Sequence, residues 1–600
     1  MSPRPPVRPD RAGPGPDWTG LALGAMSAVL LLGAVLWLGA AAACLLTGAP
    51  AVEGGLHPAL AALAHPSDPG AAWPHADQMP GPLPYWSTTV LVVAILATAA
   101  IFGWRRFGRY AASGTEVNEL RRIPGLASPA RVHKAAGRQA LARRAHIVRP
   151  SLDRHAKPGQ VGYRLGTLGG QDLWCSVEDS ALLVGPPRLG KGANVVIPWI
   201  LDAPGPVVTT STRPDTLALT TRHRRTHGPV AIFDPQRLAG LPGGLAWSPL
   251  RGCETPRTAL IRARALAAGV GFGRSVSDSD FWSGQTETAL RCLLHAAALD
   301  GRRAVDLYRW SLNPALAEDA VTILNRTRSA DGWADALDST IHSDPRTRDS
   351  IWLGVRQALA ALADPDVLEA VDPAPGNEFD PAKFLTESGT LYLLASAVAS
   401  GSCAPLVAAF IEDITETARA MAARSPGARL DPPLLLALDE IANLTPLPSL
   451  PSLMAEGGGS GITTLAVLQS LSQARGRWGE HNADAIWDAA TVKIILGGLS
   501  KYSDLEDVAR LLGEIDQYTE TRSRGHGGER SSSTSVRTVP VMQASQMRTL
   551  PMGIGLLLLR QVKPVVIDLC PWQDRLDSTR LLADKVLVEH ATATGTAVPE

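Results

Sequence analysis

The chain has 600 residues, and 57 Lys and Arg residues balance 57 Asp and Glu residues, so its formal net charge is zero. This length exceeds what one hydrophobic core supports, so we expect several domains or one large inserted domain. The neutral balance excludes a chain-wide attraction to nucleic acid, and any such binding must come from local basic patches. The six scattered cysteines form no C-x-x-C pair. They imply neither a disulfide framework nor a zinc site, and a reduced, cytosolic body fits best.

Two uncharged segments near the N-terminus predict transmembrane helices. Residues 19–47 contain no charge and exceed the ~20 residues that span a bilayer. Residues 86–104 meet the same criterion, with Tyr85, Trp86 and Trp104 placed as interfacial aromatics. A cleaved signal peptide is an alternative for the first segment, but its length and the second segment oppose it. A buried hairpin of a soluble protein is a further alternative.

The charges that flank these segments predict their orientation. The loop between them, residues 48–85, contains no Lys or Arg. Arginines precede the first segment and follow the second: Arg4, Arg8, Arg11, Arg105, Arg106 and Arg109. By the positive-inside rule, residues 1–18 are cytoplasmic and the loop is external. The sequence therefore predicts a multi-pass protein of the cell membrane with most of the chain in the cytoplasm. Residues 105–165 form a basic juxtamembrane connector that rests on anionic lipid or forms a helical platform.

Residues 181–200, ALLVGPPRLGKGANVVIPWI, have the strand–loop–helix pattern of a phosphate-binding loop. Glycines let backbone N–H groups converge on phosphate oxygens, and the new helix adds its positive dipole end. Gly192 stands where a Ser or Thr hydroxyl normally binds magnesium. A plain glycine-rich turn is the alternative. The predicted nucleotide-binding residues are Gly185, Pro186, Pro187, Arg188, Leu189, Gly190, Lys191 and Gly192, of which Lys191 would reach the β- and γ-phosphates.

Short apolar runs alternate with helical patterns through the rest of the chain, which favours a mostly parallel sheet covered by helices. The strand candidates are Val207–Thr210, Val230–Phe233, Thr390–Leu394, Leu434–Leu438, Thr463–Leu468, Val492–Leu496 and Gly555–Leu559. From about Thr255 to Asp380 the pattern is helical throughout, and we assign an inserted all-α domain to residues 271–384. The α/β nucleotide-binding domain then comprises residues 166–270 and 385–575, followed by a C-terminal tail, 576–600. The polar, Gly/Ser-rich residues 516–538 predict a mobile loop.

An apolar strand that ends in two carboxylates, PLLLALDE at residues 433–440, supplies the second half of the site. Asp439 is placed to hold magnesium, and Glu440 to polarise the attacking water. A helix-capping pair is the alternative. Gln469 closes another apolar strand and could sense the γ-phosphate or orient water, although polar residues at strand ends are common. Gln473 is a weaker candidate. Together these residues predict a catalytic site for ATP and Mg²⁺.

These motifs resemble those of TraG/TraD-type coupling proteins, the ATPases of conjugative type IV secretion. In that family a Gly after the phosphate-loop Lys is ordinary. The resemblance covers most of residues 180–570, and the paired N-terminal spans match the family's membrane anchor. The segments that carry it are GPPRLGKGANVVIPWIL, VVTTSTRPDTL, IFDPQ, WSPLRGCETPRTALIRARALA, FWSGQTETALRCLLHAAAL, LLALDEIANLTPLPSLPSLMAEGGGSGI and VLQSLSQARGRWG.

The resemblance implies a homo-hexameric, RecA-like motor at the cytoplasmic face of the inner membrane. Such motors recruit a relaxase bound to single-stranded DNA and feed it to the channel proteins of a type IV secretion system. The all-α insert is the family's substrate-recognition domain. One departure concerns the arginine finger, because Gly457, Gly458 and Gly459 occupy a stretch where many relatives carry an Arg. The finger stays unassigned, with Arg475 and Arg477 as candidates.

Two other classes compete with this interpretation. A double-stranded DNA translocase of the chromosome-segregation type would share the site and the hexamer, but no DNA-reading domain follows Pro571. A catalytically idle scaffold conflicts with the intact Lys191, Asp439 and Glu440. For DNA binding by phosphate contact, the candidates are Arg475, Arg477, Arg522, Arg524 and Arg530, with solvated surface charge as the alternative.

Overall fold

A computed structural model describes residues 18–152, 156–241, 244–270, 279–374, 376–395, 403–444, 446–524 and 530–598. The chain divides into two compact units, Met1–Glu116 and Val117–Glu600. Residues 1–17 of the predicted cytoplasmic segment therefore lie outside the described residues, as do residues 525–529 of the predicted mobile loop.

The N-terminal unit consists of helices α1 (Trp18–Thr47), α2 (Leu56–Ala61) and the first part of α3 (Pro82–Arg121). Helices α1 and α3 pack closely at Gly39, where a Cβ atom would lie 2.2 Å from Thr89 Oγ1. The Thr88 hydroxyl donates to the carbonyl of Gly39 at 2.9 Å. A small residue at a helix crossing and a hydroxyl bonded across it are features that membrane helix pairs use.

Among the described residues, one helix segment, Val29–Thr47, is long and apolar enough to cross a membrane, and Pro82–Thr98 is a shorter apolar segment. The helix of the second segment does not end at Trp104 but continues to Arg121. Proline accounts for both ends of α3, because Pro82 occupies its first position and Pro124 stands three residues beyond its last. Part of the predicted connector is thus a continuation of the helix.

The remainder of the connector folds into short helices and the start of a strand. Strands β1 (Gly162–Leu168) and β2 (Gln171–Ser176) form a hairpin whose turn, Gly169 and Gly170, has φ of +59° and +78°. Two positive φ values suit a two-residue hairpin turn. The predicted boundary at residue 166 therefore falls inside β1. The helices are α4 (Pro129–Ala136), α5 (Arg138–Ala142), α6 (Ala145–Val148) and α7 (Pro158–Val161).

The second unit is built on an eleven-stranded sheet in the order β2-β1-β13-β12-β9-β3-β8-β7-β4-β6-β5. The run from β9 to β5 is parallel, and the four strands on the other side of β9 are antiparallel. The structure thus confirms a mostly parallel α/β sheet. The other strands are β3 (Ala181–Val184), β4 (Val207–Ser211), β5 (Val230–Phe233), β6 (Thr390–Leu394), β7 (Leu434–Leu438), β8 (Ile462–Leu468), β9 (Val492–Leu496), β12 (Ile554–Leu559) and β13 (Val562–Asp568).

The central strands are continuous apolar runs because helices cover both faces of the sheet. In β3, Leu182 and Val184 join the core on one face, whereas Ala181 and Leu183 join the core on the other. The helices that follow α7, outside the segment between β5 and β6, are α8 (Ile197–Asp202), α9 (Asp215–Arg225), α18 (Ala404–Ala423), α19 (Ile441–Leu444), α20 (Leu450–Glu456), α21 (Leu471–Trp478), α22 (Glu480–Ala489), α23 (Tyr502–Leu512), α24 (Ala544–Arg548) and α25 (Ser578–Thr594).

Between β5 and β6 the described regular structure is helical. These helices share one continuous core with α18 and the sheet. A buried ion pair of 2.8 Å between Arg262 and Asp413 joins α10 to α18. The domain status of residues 271–384 stays a prediction. The helices are α10 (Pro256–Val270), α11 (Ser279–Leu299), α12 (Ala304–Leu312), α13 (Glu318–Arg326), α14 (Trp333–Ile341), α15 (Pro345–Ala358), α16 (Pro365–Val371) and α17 (Pro381–Thr386).

The prediction of a mobile loop over residues 516–538 is wrong for the part that the structure describes. Strands β10 (Glu514–Arg524) and β11 (Arg530–Pro540) pair in register as an antiparallel ribbon. The β-branched and aromatic residues of this stretch, such as Tyr518, Thr521 and Val536, favour strands. The glycines that suggested a loop cluster at 525–528, between the two strands.

Candidate nucleotide-binding site

The phosphate loop leaves the sheet at Val184 and enters a helical turn at Gly192–Val196. Its two left-handed positions are Arg188 (φ +66°) and Gly190 (φ +77°). At Gly190 a Cβ atom would lie 2.5 Å from Asn194 Nδ2. Glycine is therefore required here both by conformation and by space. Asn194 was not singled out from the sequence, because its place beside the loop depends on the helical turn.

Lys191 lies inside the loop and is 8% exposed. Its ammonium donates to the carbonyl oxygens of Gly185 at 2.6 Å and of Pro186 at 3.1 Å. Burial lowers the pKa of Lys191, while the carboxylates of Asp439 and Glu440 oppose that shift. The loop thus presents a partly desolvated cation within electrostatic reach of both acidic candidates, which is the charge arrangement that a phosphate–metal complex needs.

Gly192 differs from Gly190 because nothing lies within 4 Å of the position of its missing Cβ. Packing does not demand glycine there, and a larger residue would fit. Since glycine offers no hydroxyl, a metal at this site must take its oxygen ligands from other residues and from water. Mg²⁺ keeps several waters in most protein sites, so this loss is compatible with binding.

Asp439 and Glu440 follow directly after β7. The Thr210 hydroxyl donates to the carbonyl of Asp439 at 2.8 Å, and the amide of Glu440 donates to Asp439 Oδ1 at 3.0 Å. Burial and the neighbouring charge of Glu440 raise the pKa of Asp439 to about 6, and Lys191 acts in the opposite sense. A carboxylate that is costly to ionise alone gains most from a bound cation.

Sheet order brings the predicted residues together. Strand β8 lies between β3 and β7, and all three are parallel. Their carboxyl ends therefore meet at one edge, where ligands bind in open α/β sheets. The phosphate loop, Asp439 and Gln469 each follow one of these ends. The amide of Gly185 donates to the carbonyl of Leu468 at 3.1 Å and joins the start of the phosphate loop to the end of β8, beside Gln469.

Gln473, the weaker candidate, lies at the centre of a small network. Its side-chain oxygen accepts from the amide of Gln469 at 3.1 Å, and its Nε2 donates to Asn443 Oδ1 at 2.5 Å. Gln473 therefore links the end of β8 to helix α19, which follows Glu440. The i, i+4 spacing of Gln469 and Gln473 was a usable sequence signal, but the contact with Asn443 depends on the packing of two distant segments.

The residues present fit a nucleoside triphosphate with a divalent cation. Asn194 Nδ2 is buried and has no hydrogen-bond partner among the described residues, and it lies directly beside Gly190. An unpaired buried donor next to a glycine-walled loop suits an anionic oxygen. Lys191 supplies a cation on the same side, and Asp439 supplies a hard oxygen ligand of the kind that Mg²⁺ prefers.

The positions considered for an arginine finger differ in the space around them. At Gly458 a Cβ atom would lie 1.9 Å from the carbonyl oxygen of Glu178, so no larger residue fits there, whereas nothing lies within 4 Å of the missing Cβ of Gly459. Arg475 pairs with Asp504 and with Asp507, each at 3.2 Å. Those pairs hold its guanidinium against helix α23. Arg477 is exposed.

Comparison with known proteins agrees with this geometry. The fold is similar to that of the bacterial conjugative coupling protein TrwBdeltaN70 in its unbound form, with a TM-score of 0.52 and 18% identity over 72% of this chain and 91% of that chain. TrwB in complex with the non-hydrolysable ATP analogue ADPNP gives 0.51, and TrwB with ADP and Mg²⁺ gives 0.50. Both are again 18% identical and cover 72% of this chain and 92% of that chain. No curated protein matches the chain.

The fold is a mixed α/β sheet similar to that of TrwB, and the phosphate-binding loop and the acidic pair form a candidate nucleotide site at its edge. Residues 433–552 match the family described as the TraM recognition site of TraD and TraG. The chain is thus similar to coupling proteins of the TraG/TraD type in this matched segment and in its fold. The double-stranded DNA translocase is not favoured by these matches.

Proposed function

We propose that this chain is a membrane-anchored ATPase that couples a relaxase–single-stranded DNA substrate to a type IV secretion channel during conjugative transfer. The observation that carries the proposal is the meeting of Lys191, Asp439, Glu440 and Gln469 at one edge of the sheet, in a chain whose residues 433–552 match the coupling-protein family. TrwB, which has the same fold, binds nucleotide and Mg²⁺ in the structures named above, and we extend both ligands to this site.

Each residue of the site has a separate role in hydrolysis. The amides of the loop and Lys191 hold the β- and γ-phosphates. Asp439 would hold Mg²⁺, which would supply positive charge beside the phosphate oxygens. Glu440 accepts a proton from the attacking water. Gln469, at the end of the strand between the loop and these acids, orients that water or contacts the γ-phosphate.

The assembly that we propose is a homo-hexamer at the inner membrane. Helix α1 and the apolar start of α3 are the two membrane spans, with both termini in the cytoplasm, as the flanking arginines favour. Residues 271–384 form the domain that recognises the relaxase. The secretion channel receives the substrate at the membrane face.

Transfer from donor cells tests this function directly. A donor in which the chromosomal or plasmid copy is replaced by Lys191→Ala should transfer its element at a rate at least a hundredfold below wild type, because phosphate binding is lost. Lys493→Ala is the matched control, since its ammonium donates to the carbonyl of Ala490 and not to the phosphate loop. Normal transfer by the Lys191 variant at equal protein level would refute the proposal.

A further inference from the structure

The Glu440 carboxylate is held by a residue on a neighbouring strand. Thr212 Oγ1 donates to Glu440 Oε2 at 3.1 Å. Thr212 follows the last residue of β4, which lies beside β7 with Thr210 opposite Leu438. Two hydroxyls of one strand end therefore contact the acidic pair, Thr210 through the backbone of Asp439 and Thr212 through the side chain of Glu440.

The main chain and the side chain of Glu440 are held by different means. Glu440 has φ of +50°, an unfavourable conformation for a residue with a side chain. Its carbonyl accepts from the amides of Asn443 at 2.8 Å and Leu444 at 3.0 Å, and these bonds fix the main chain. For its carboxylate, the described residues provide one hydrogen-bond partner, Thr212.

We propose that Thr212 is a positioning residue that fixes the orientation of the Glu440 carboxylate for water activation. This rests on the proposed function, because it assigns a partner to the base of that reaction. A free Glu side chain samples several rotamers, and a base that must meet a water within hydrogen-bond distance loses rate when its orientation is not set. One oxygen bonded to Thr212 leaves the other available to the water.

The test compares variants of the full chain in Mg²⁺-dependent ATP hydrolysis. Thr212→Val keeps the side-chain shape and removes the hydroxyl. It should lower kcat about ten- to hundredfold while KM for ATP changes less than about threefold, because a hydrogen bond to a charged group is lost and nucleotide contacts stay. Thr212→Ser, which keeps the hydroxyl, should restore kcat to within about threefold of wild type.

Thr209→Val is the matched control for a change on the same strand. The Thr209 hydroxyl is buried and has no hydrogen-bond partner among the described residues. Its removal should leave kcat unchanged. In a Glu440→Gln background, Thr212→Val should not lower the residual single-turnover rate further, because the two residues act as one unit.

The outcomes separate this inference from the function on which it rests. If the wild-type chain hydrolyses ATP and the Thr212→Val variant has a normal kcat, the role of Thr212 is wrong and the proposed function still holds. Equal losses in the Thr212 and Thr209 variants would also overturn that role, because they would indicate a structural effect. A wild-type chain without turnover would overturn the proposed function, and the role of Thr212 with it.

Discussion

Gly190 and Gly192 stand two residues apart in the phosphate loop and face different constraints. Gly190 is left-handed and closely packed against Asn194, whereas Gly192 begins a helical turn and has open space where a Cβ would lie. Gly190→Ala should therefore destabilise the chain by more than about 1 kcal/mol, and Gly192→Ala should stabilise it by about 0.5–1 kcal/mol. Thermal unfolding of both variants measures this. Equal destabilisation by the two changes would contradict the described loop geometry.

The Asp439 carboxylate should lower the free energy of unfolding of the chain, although it is a candidate ligand of the nucleotide site. Its pKa is raised from 3.8 to about 6, so between about pH 4 and pH 6 the folded state holds the proton more tightly than the unfolded state. The free energy of unfolding then falls as pH rises through that window. Asp439→Asn should accordingly be more stable than wild type by about 1–3 kcal/mol at pH 7 in a chelator. The advantage should vanish near pH 4. A variant that is less stable at pH 7 would show that the carboxylate is not desolvated.

At the scale of elements, the β10–β11 ribbon changes the interpretation of its arginines. Tyr518 is paired with Val536, and Arg524 with Arg530. Arg522, Arg524 and Arg530 therefore belong to two paired strands and not to a loop. Single-strand nucleic-acid sites combine basic and aromatic residues, and the sequence of this ribbon contains both.

Neutralising Arg522, Arg524 and Arg530 together should weaken binding to single-stranded DNA and reduce the salt slope by up to about three phosphate contacts. Arg537, which is exposed and paired with Gln517 further along the ribbon from the Arg524–Arg530 pair, is the control, and Arg537→Gln should leave the slope unchanged. Fluorescence anisotropy across a salt series gives both values. An unchanged slope in the triple variant would remove the ribbon from the DNA path.

Burial explains which elements could be predicted from the sequence. The parallel strands were predictable because both faces are covered, so that β7 reads as the unbroken run LLLAL. The β1–β2 hairpin and the ribbon were not, because neither contains a continuous apolar run and the glycines between their strands resemble loops. The candidate nucleotide-binding residues could be predicted because they lie in local sequence motifs. Thr210, Thr212 and Asn443 reach the site only through strand order and packing, which no local pattern encodes.

At the scale of the whole molecule, the N-terminal unit should place residues 48–85 outside the cell. In a chain whose native cysteines are replaced, Ser67→Cys should react with an impermeant thiol reagent in intact cells, and Ser113→Cys should react only after lysis. The flanking arginines are the physical reason, since they resist translocation. Labelling in the reverse sense would overturn the orientation, and labelling of both positions would overturn the pair of spans.

The central claim is that this site hydrolyses ATP through Glu440, and turnover by the purified chain tests it most directly. Wild type should hydrolyse ATP with Mg²⁺, faster when DNA is present. Glu440→Gln should bind ATP with a Kd within about threefold of wild type and turn over at about one hundredth of its rate or less, because only water activation is removed. Equal turnover by wild type and Glu440→Gln would contradict the account.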